Sequence, residues 1–174
     1  MSTRRDALVE ATLRVIGTRG ADAVTHRAVA AEAGVPLAST TYYFASKDAL
    51  VREAYALTIE RSLALVAEHA ARTEGTAIDR LVALADAQLR GADAPLAAQF
   101  ELMLEAGRRP ELRDLAEHWD TTYREALAEL VGDELDVDVA GYLLDGALIG
   151  QLSFPTENFA ETTLRPLLAH AVHA

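Results

Sequence analysis

The stretch from Thr25 to Leu50, THRAVAAEAGVPLASTTYYFASKDAL, restricts the fold more than any other part of the chain. It reads as two short helices joined by a tight turn, with a longer helix following directly. Thr25 can cap the free amides of the first helix, and Val24 can pack on Val29 as a hydrophobic staple. Ala28, Val29 and Ala33 offer a small apolar face, and Gly34 suits the left-handed position that ends a helix. Val35 plugs the turn, and Pro36, with its fixed φ, suits the start of the next helix. That second helix, 37–43, is expected to expose Ser39, Thr40, Thr41, Tyr42 and Tyr43 over barely two turns. Such residues are poor material for a core and good material for hydrogen bonds. A helix, a Gly-containing turn and a polar second helix make the helix-turn-helix pattern.

Thr25, Val29, Ala30, Ala33, Gly34, Val35, Tyr42, Phe44, Ser46, Lys47 and Leu50 together resemble the DNA-binding region of the TetR family of bacterial transcription regulators. That pattern is specific through its combination of residues, and it covers about the first third of the chain. Thr40 and Thr41 stand where the family usually has Leu-Tyr. The resemblance implies an all-α protein of about nine helices, with a helix-turn-helix head (1–50) and a C-terminal effector-binding and dimerisation bundle (51–174). It also implies a homodimer joined through the last two helices and bound to a palindromic operator in double-stranded DNA.

A net charge of −11 looks unsuited to contact with phosphates until it is divided along the chain. Residues 1–52 carry seven Lys/Arg against five Asp/Glu, whereas 53–174 carry nine against twenty-two. The acidic excess therefore lies outside the proposed head, where it repels phosphate and helps to orient the head toward a duplex. The sequence has no cysteine, which removes disulfides, thiolate nucleophiles and zinc-thiolate sites together. No run of eighteen apolar residues suggests a membrane span. No apolar segment follows Arg4 and Arg5 as a signal peptide requires, so a cytoplasmic location is expected.

Along the chain, Leu8, Ala11, Val15 and Ile16 mark a first helix over 3–18, ended by Gly17 and Gly20. Ser46 caps a helix that runs to about Arg72, some 40 Å long. Ile78, Leu81, Val82, Ala85 and Leu89 mark another helix, closed by Gly91. Pro95 is expected to open a helix with Leu96, Phe100, Met103 and Leu104 on its apolar stripe, and Gly107 to close it. A long pattern follows from Pro110 to Gly132. Residues 137–153 are apolar nearly all round, interrupted mainly by Asp145 and Gln151, so that helix is expected to be buried on both sides. Gly141, Gly146 and Gly150 inside it suggest close approach of another backbone. The last helix, about 157–172, contains Pro166 and is expected to be kinked or split.

Candidate DNA contacts are Thr25, Arg27, Pro36, Leu37, Ala38, Ser39, Thr41, Tyr42, Tyr43 and Lys47. Thr25 is at minimum a helix cap, and a helix N-terminus favours anions. Lys47 opposes the dipole at the start of its helix, which makes sense if phosphate lies nearby. Leu37, Ala38, Ser39 and Thr41 can offer methyl contacts and hydroxyl bonds to base edges, while Tyr42 and Tyr43 suit phosphate and sugar. No Arg, Asn or Gln lies within 36–43, so Arg27 is the nearest strong base reader. Arg4 and Arg5 read as solvated, or as a basic arm. Arg61, Gln99, Phe100, Met103, Trp119 and Tyr123 are the candidates for lining an effector cavity, for an apolar or aromatic molecule. His69, His118, His170 and His173 have no zinc spacing and read as surface or capping residues. No nucleophile motif, phosphate loop or metal constellation argues for an enzyme, and no cofactor is expected. The leading reading is a repressor released by a small molecule. The alternative is a helical binding or interaction protein that has lost operator contact.

Overall fold

The computed structural model describes residues 3–72, 74–91 and 96–172. Among them are nine α-helices and no strand, as expected: α1 (Arg4–Arg19), α2 (His26–Ala33), α3 (Leu37–Tyr43), α4 (Lys47–Ala70), α5 (Ala77–Arg90), α6 (Leu96–Arg108), α7 (Arg113–Val131), α8 (Val137–Ser153) and α9 (Arg165–Val172). They pack as two compact units, one from Met1–Glu60 with Ala94–Ala116, the other from Arg61–Asp93 with Glu117–Ala174. The helix opening assigned to Pro95 and the histidine at 173 lie outside the described residues.

In the first unit, Thr3 caps α1 in a capping box with Asp6, and Leu8, Ala11, Val15 and Ile16 are buried as their spacing predicts. Gly17 does not end this helix. The chain leaves it at Gly20, whose φ of 80° is open to glycine at no steric cost. Val24 and Val29 are both fully buried around the start of α2. Arg5 is exposed, yet it is not a free arm: it pairs with Glu53 at 2.8 Å and lies over the Phe44 ring.

The α6 stripe differs from expectation. Ala98, Gln99, Leu102 and Ala106 face inward, Phe100 and Met103 are half-buried, and Leu104 is 69% exposed. Polar anchors on the same helix set this rotation. Glu101 Oε1 accepts from the Ala21 amide at 2.7 Å, and Glu105 pairs with Arg109, which also approaches Asp22 and Asp48. Gly107 lies within the helix and does not close it.

In the second unit, Thr76 and Asp79 form a capping box at α5, whose buried residues include Leu81, Leu84, Ala85 and Gln88. Asp136 caps α8. Only one side of α8 is buried here, through Ala140, Leu144 and Leu148; Val139, Tyr142, Ile149 and Leu152 are exposed. Pro166 does split the last segment. A π-turn over Ala160–Leu164 precedes α9, and the Arg165 amide donates to the Ala160 carbonyl across that wider turn. Proline has no N–H to continue a regular ladder, so the irregularity sits one turn before it.

Gly34 has φ 65° and ψ 32°, and no heavy atom lies within 4 Å of an added Cβ. Gly34→Ala therefore adds backbone strain without a clash, roughly 1–2 kcal/mol. The variant is expected to melt lower than the parent by circular dichroism, with its helix content unchanged at 20 °C.

Candidate functional site

The exposed surface of the first unit carries the residues expected to meet DNA. Thr25 Oγ1 accepts from the Ala28 amide at 3.0 Å, as a cap should. Val35 N–H returns to the Ala30 carbonyl and the Gly34 N–H to Ala31, which closes the turn. Pro36 then starts α3, and its carbonyl accepts from the Ser39 amide at 2.9 Å. Thr25, Arg27, Pro36, Leu37, Ala38, Thr41, Tyr42 and Tyr43 are all exposed, while Ser39 and Lys47 are half-buried. Tyr42 is 81% exposed, with its ring edge-on to Tyr43. Thr40 departs from expectation and is fully buried. It lies on the inward face of the helix, and its hydroxyl is satisfied by the Leu37 carbonyl at 2.8 Å. Phe44, 3% exposed, anchors the end of α3. Ser46 caps α4 through the Ala49 amide, and Lys47 Nζ reaches only to 4.0 Å from Asp22, itself almost wholly exposed.

The residues proposed for an effector cavity fall in both units. Gln99, Phe100 and Met103 belong to α6 in the first; Arg61, Trp119 and Tyr123 belong to the second. Trp119 and Tyr123 come together as stacked rings, 4.7 Å between centroids, and both are buried. Trp119 Nε1 donates to Ser62 Oγ at 3.3 Å. A cavity of about 20 Å³ lies beside the pair, lined also by Arg124, Gly141, Tyr142 and Asp145. The Tyr123 hydroxyl and Asp145 Oδ1 there lack hydrogen-bond partners, as do both side-chain polar atoms of Gln88, which lies behind the Tyr123 hydroxyl and does not line the cavity. Gln88 and Asp145 both lie near enough to act electrostatically on the Tyr123 hydroxyl, although Gln88 does not meet it in bonding geometry.

A family model described as bacterial regulatory proteins, tetR family, matches residues 8–54, and one described as tetracyclin repressor-like, C-terminal domain, matches residues 72–174. This chain belongs to the TetR family. It is a TetR-family helix-turn-helix transcriptional regulator. The nicotine-responsive transcriptional repressor HdnoR of Paenarthrobacter nicotinovorans is 30% identical over 131 residues, covering 74% of this chain and 67% of that protein. The regulator BetI of Rhizobium meliloti is 36% identical over 119 residues, 64% of this chain but only 56% of BetI. Among solved structures, the TetR-family member SCO1917 from Streptomyces coelicolor A3 is 34% identical with a TM-score of 0.72, covering 96% of this chain and 99% of that one. The multidrug binding protein EbrR, complexed with ethidium, is 33% identical with a TM-score of 0.71 and coverage of 97% and 98%. No helix among the described residues is long and apolar enough to cross a membrane.

In this TetR-family chain the interior polar groups are the part that reading the sequence missed. Asp145 was visible as a charge interrupting an apolar helix, and Gln88 continues the 81, 84, 85 spacing of the buried face of α5. Either signal could have found them. Burial pushes the Asp145 carboxyl up to about 6; nearby Arg124 draws it down and Asp120 pushes it up. A folded pKa above the ordinary 3.8 means that the native state keeps a proton the unfolded chain has already released. Stability from this group is thus greatest on the acid side, falls as pH rises from about 4 to 6, and stays low above that. Asp145→Asn removes the penalty, on the order of 2 kcal/mol at neutral pH. The variant is expected to melt above the wild type at pH 7.5, with the gap shrinking to roughly half at pH 5. Paired melts at the two pH values measure it.

Proposed function

We propose that this regulator is a homodimeric repressor that binds a palindromic operator and is released from it by a small molecule. The observation that carries the dimer is the outer face of α8. Val139, Tyr142, Ile149 and Leu152 are exposed there, and Leu167 of α9 is exposed as well. Gly146 and Gly150 interrupt this face, and nothing lies within 4 Å of a Cβ added to either. Each glycine costs about 1 kcal/mol relative to alanine in a helix interior. A second copy of α8 approaching closely offsets that loss. Gly141 differs: a Cβ there would meet Leu127 of the same unit at 3.4 Å, so its place is explained within one chain.

In this reading the two heads engage successive major grooves about 34–36 Å apart. Thr25, Tyr42, Tyr43 and Lys47 take phosphate and sugar. Leu37, Ala38, Ser39 and Thr41, with Arg27 and Pro36 beside them, face the bases. The presence of Thr25, Tyr42 and Lys47, the first two exposed, weighs against a protein that has lost operator contact. Release is a population shift, in which ligand favours dimers whose heads no longer fit the operator spacing. The naming of HdnoR as nicotine-responsive and the ethidium complex of EbrR support an effector of small, aromatic character. In vitro selection of bound DNA tests the whole reading, since recovery of non-palindromic or random sequence would contradict it.

Two substitutions test its parts. Lys47→Ala is expected to weaken binding to all sequences about equally and to reduce the slope of log K against log salt by roughly one. An unchanged slope in a filter-binding titration would remove Lys47 from the phosphate contacts. Gly150→Glu has room within one chain, so the monomer should fold with normal helicity. Analytical ultracentrifugation should find it monomeric, and operator affinity should fall by roughly 10²- to 10⁴-fold because two half-sites are no longer engaged together. A folded variant that stays dimeric would move the interface off this face.

A further inference from the structure

The second unit treats its buried polar groups in two ways. Ser62 accepts from Trp119 Nε1, and the His69 ring bonds the Leu65 carbonyl at 2.8 Å. Gln88, Tyr123 and Asp145 have no such arrangement, though Gln88 is only 6% exposed and Tyr123 only 3%. Buried polar groups in folded proteins are nearly always partnered, and leaving one unpartnered costs about 1–3 kcal/mol. Three such groups on three different helices, gathered at one point, form a concentrated exception. Two of them offer oxygens, a carboxylate and a phenol, to whatever lies between.

The surroundings give the sign of the charge that suits this point. Arg124 stands at the edge of the cavity, with its guanidinium 5.6 Å from the Tyr142 ring centroid and paired with Asp120 at 3.1 Å and with Asp138. The protein thus already keeps a cation over an aromatic ring, among carboxylates, at the mouth of this space. Three carboxylates face one guanidinium around it, and residues 53–174 carry a net −13. An entering anion would be repelled, and a neutral molecule would leave Asp145 unpaired.

We propose that Asp145 and Tyr123, backed by Gln88 and roofed by the Trp119 and Tyr142 rings, form the binding site for a primary ammonium group carried on an aromatic ring. The ammonium donates to Asp145 Oδ1 and the Tyr123 oxygen, the Tyr123 O–H turns to donate to the Gln88 carbonyl behind it, and the attached ring extends the Trp119–Tyr123 stack. A cavity of about 20 Å³ admits the head group alone. The ring therefore occupies the mouth, which opens when Arg124 swings outward. Arg124 is half-buried, so that movement is a side-chain rotation; Tyr142 lies on the α8 face given to the second copy and stays in place as a wall of the site. The site rests on the effector-responsive reading only for its consequence on DNA; binding itself stands apart from it.

Trp119 is the one tryptophan of the chain and lies against the site, so its fluorescence reports occupancy directly. Benzylammonium and phenethylammonium, titrated to 10 mM at pH 7.5, are expected to change Trp119 emission saturably and raise the melting temperature. Benzyl alcohol and benzoate, of similar shape, should do neither. Asp145→Asn, which relieves a buried charge and so should fold at least as well, is expected to weaken ammonium binding tenfold or more. Arg124→Ala removes the competing cation and should tighten it several-fold, an effect that a merely structural arginine would not give. Absence of saturable binding by either amine, equal binding of benzyl alcohol, or an Asp145→Asn variant of unchanged affinity would each overturn the site. Operator binding by the same preparation is read in parallel. Saturable ammonium binding that leaves operator affinity untouched upholds the site and sinks effector release, whereas loss of operator binding in the ligand-free protein sinks the regulator reading alone.

Discussion

A helix of seven residues does not form by itself in water, and α3, the second helix of the helix-turn-helix, is such a helix. The stability of α3 must come from what holds it, and two side chains do much of that. Thr40 is fully buried and satisfies its own hydroxyl within the helix, and Phe44 closes the far end beneath Arg5. Because those two side chains hold the inner face, Leu37, Ala38, Thr41 and Tyr42 are free to stay in solvent. Gly34 sets the direction in which this short helix leaves the turn. The exposed tyrosines and small residues are therefore a consequence of the anchoring, and they carry no share of the core.

The head was legible in the sequence because each of its features has a local cause. A threonine before a helix caps it, a glycine after a helix takes the left-handed position, and a proline begins the next. Reading fails where rotation about a helix axis is decided by something distant in the chain. Thr40 looks like its polar neighbours until packing chooses a face. On α6 the bulky Phe100, Met103 and Leu104 suggest a stripe, yet Glu101 bonding the Ala21 amide turns the alanine side inward. The apolar circumference of α8 was visible, but a sequence cannot divide it into a face buried by its own chain and a face left outside. The stacked Trp119 and Tyr123 were legible as aromatic residues at helical spacing. Their company of Gln88 and Asp145 was not, because it depends on how three helices, α5, α7 and α8, pack on one another.

Asp145 is the point at which physical economy is most clearly set aside. Elsewhere in the chain, several buried side chains are quieted by the carbonyl one turn back: Thr12 by Leu8, Thr58 by Ala54, His69 by Leu65. Those residues have a hydrogen to give. A carboxylate has none, so on a helix it cannot use this route and must find a donor from another element. Leucine in its place would have continued the apolar pattern of α8 and removed the penalty of a buried charge. Against a total folding stability of roughly 5–15 kcal/mol, a persistent loss of about 2 kcal/mol at neutral pH is substantial. Departures from local rules of this size concentrate at functional sites. The same helix turns Gly146, the next residue, toward open solvent. A donor drawn to Asp145 from inside and a second subunit seated on the glycines outside would therefore act on adjacent residues of one rigid element, and any rotation of α8 that improves one contact alters the other.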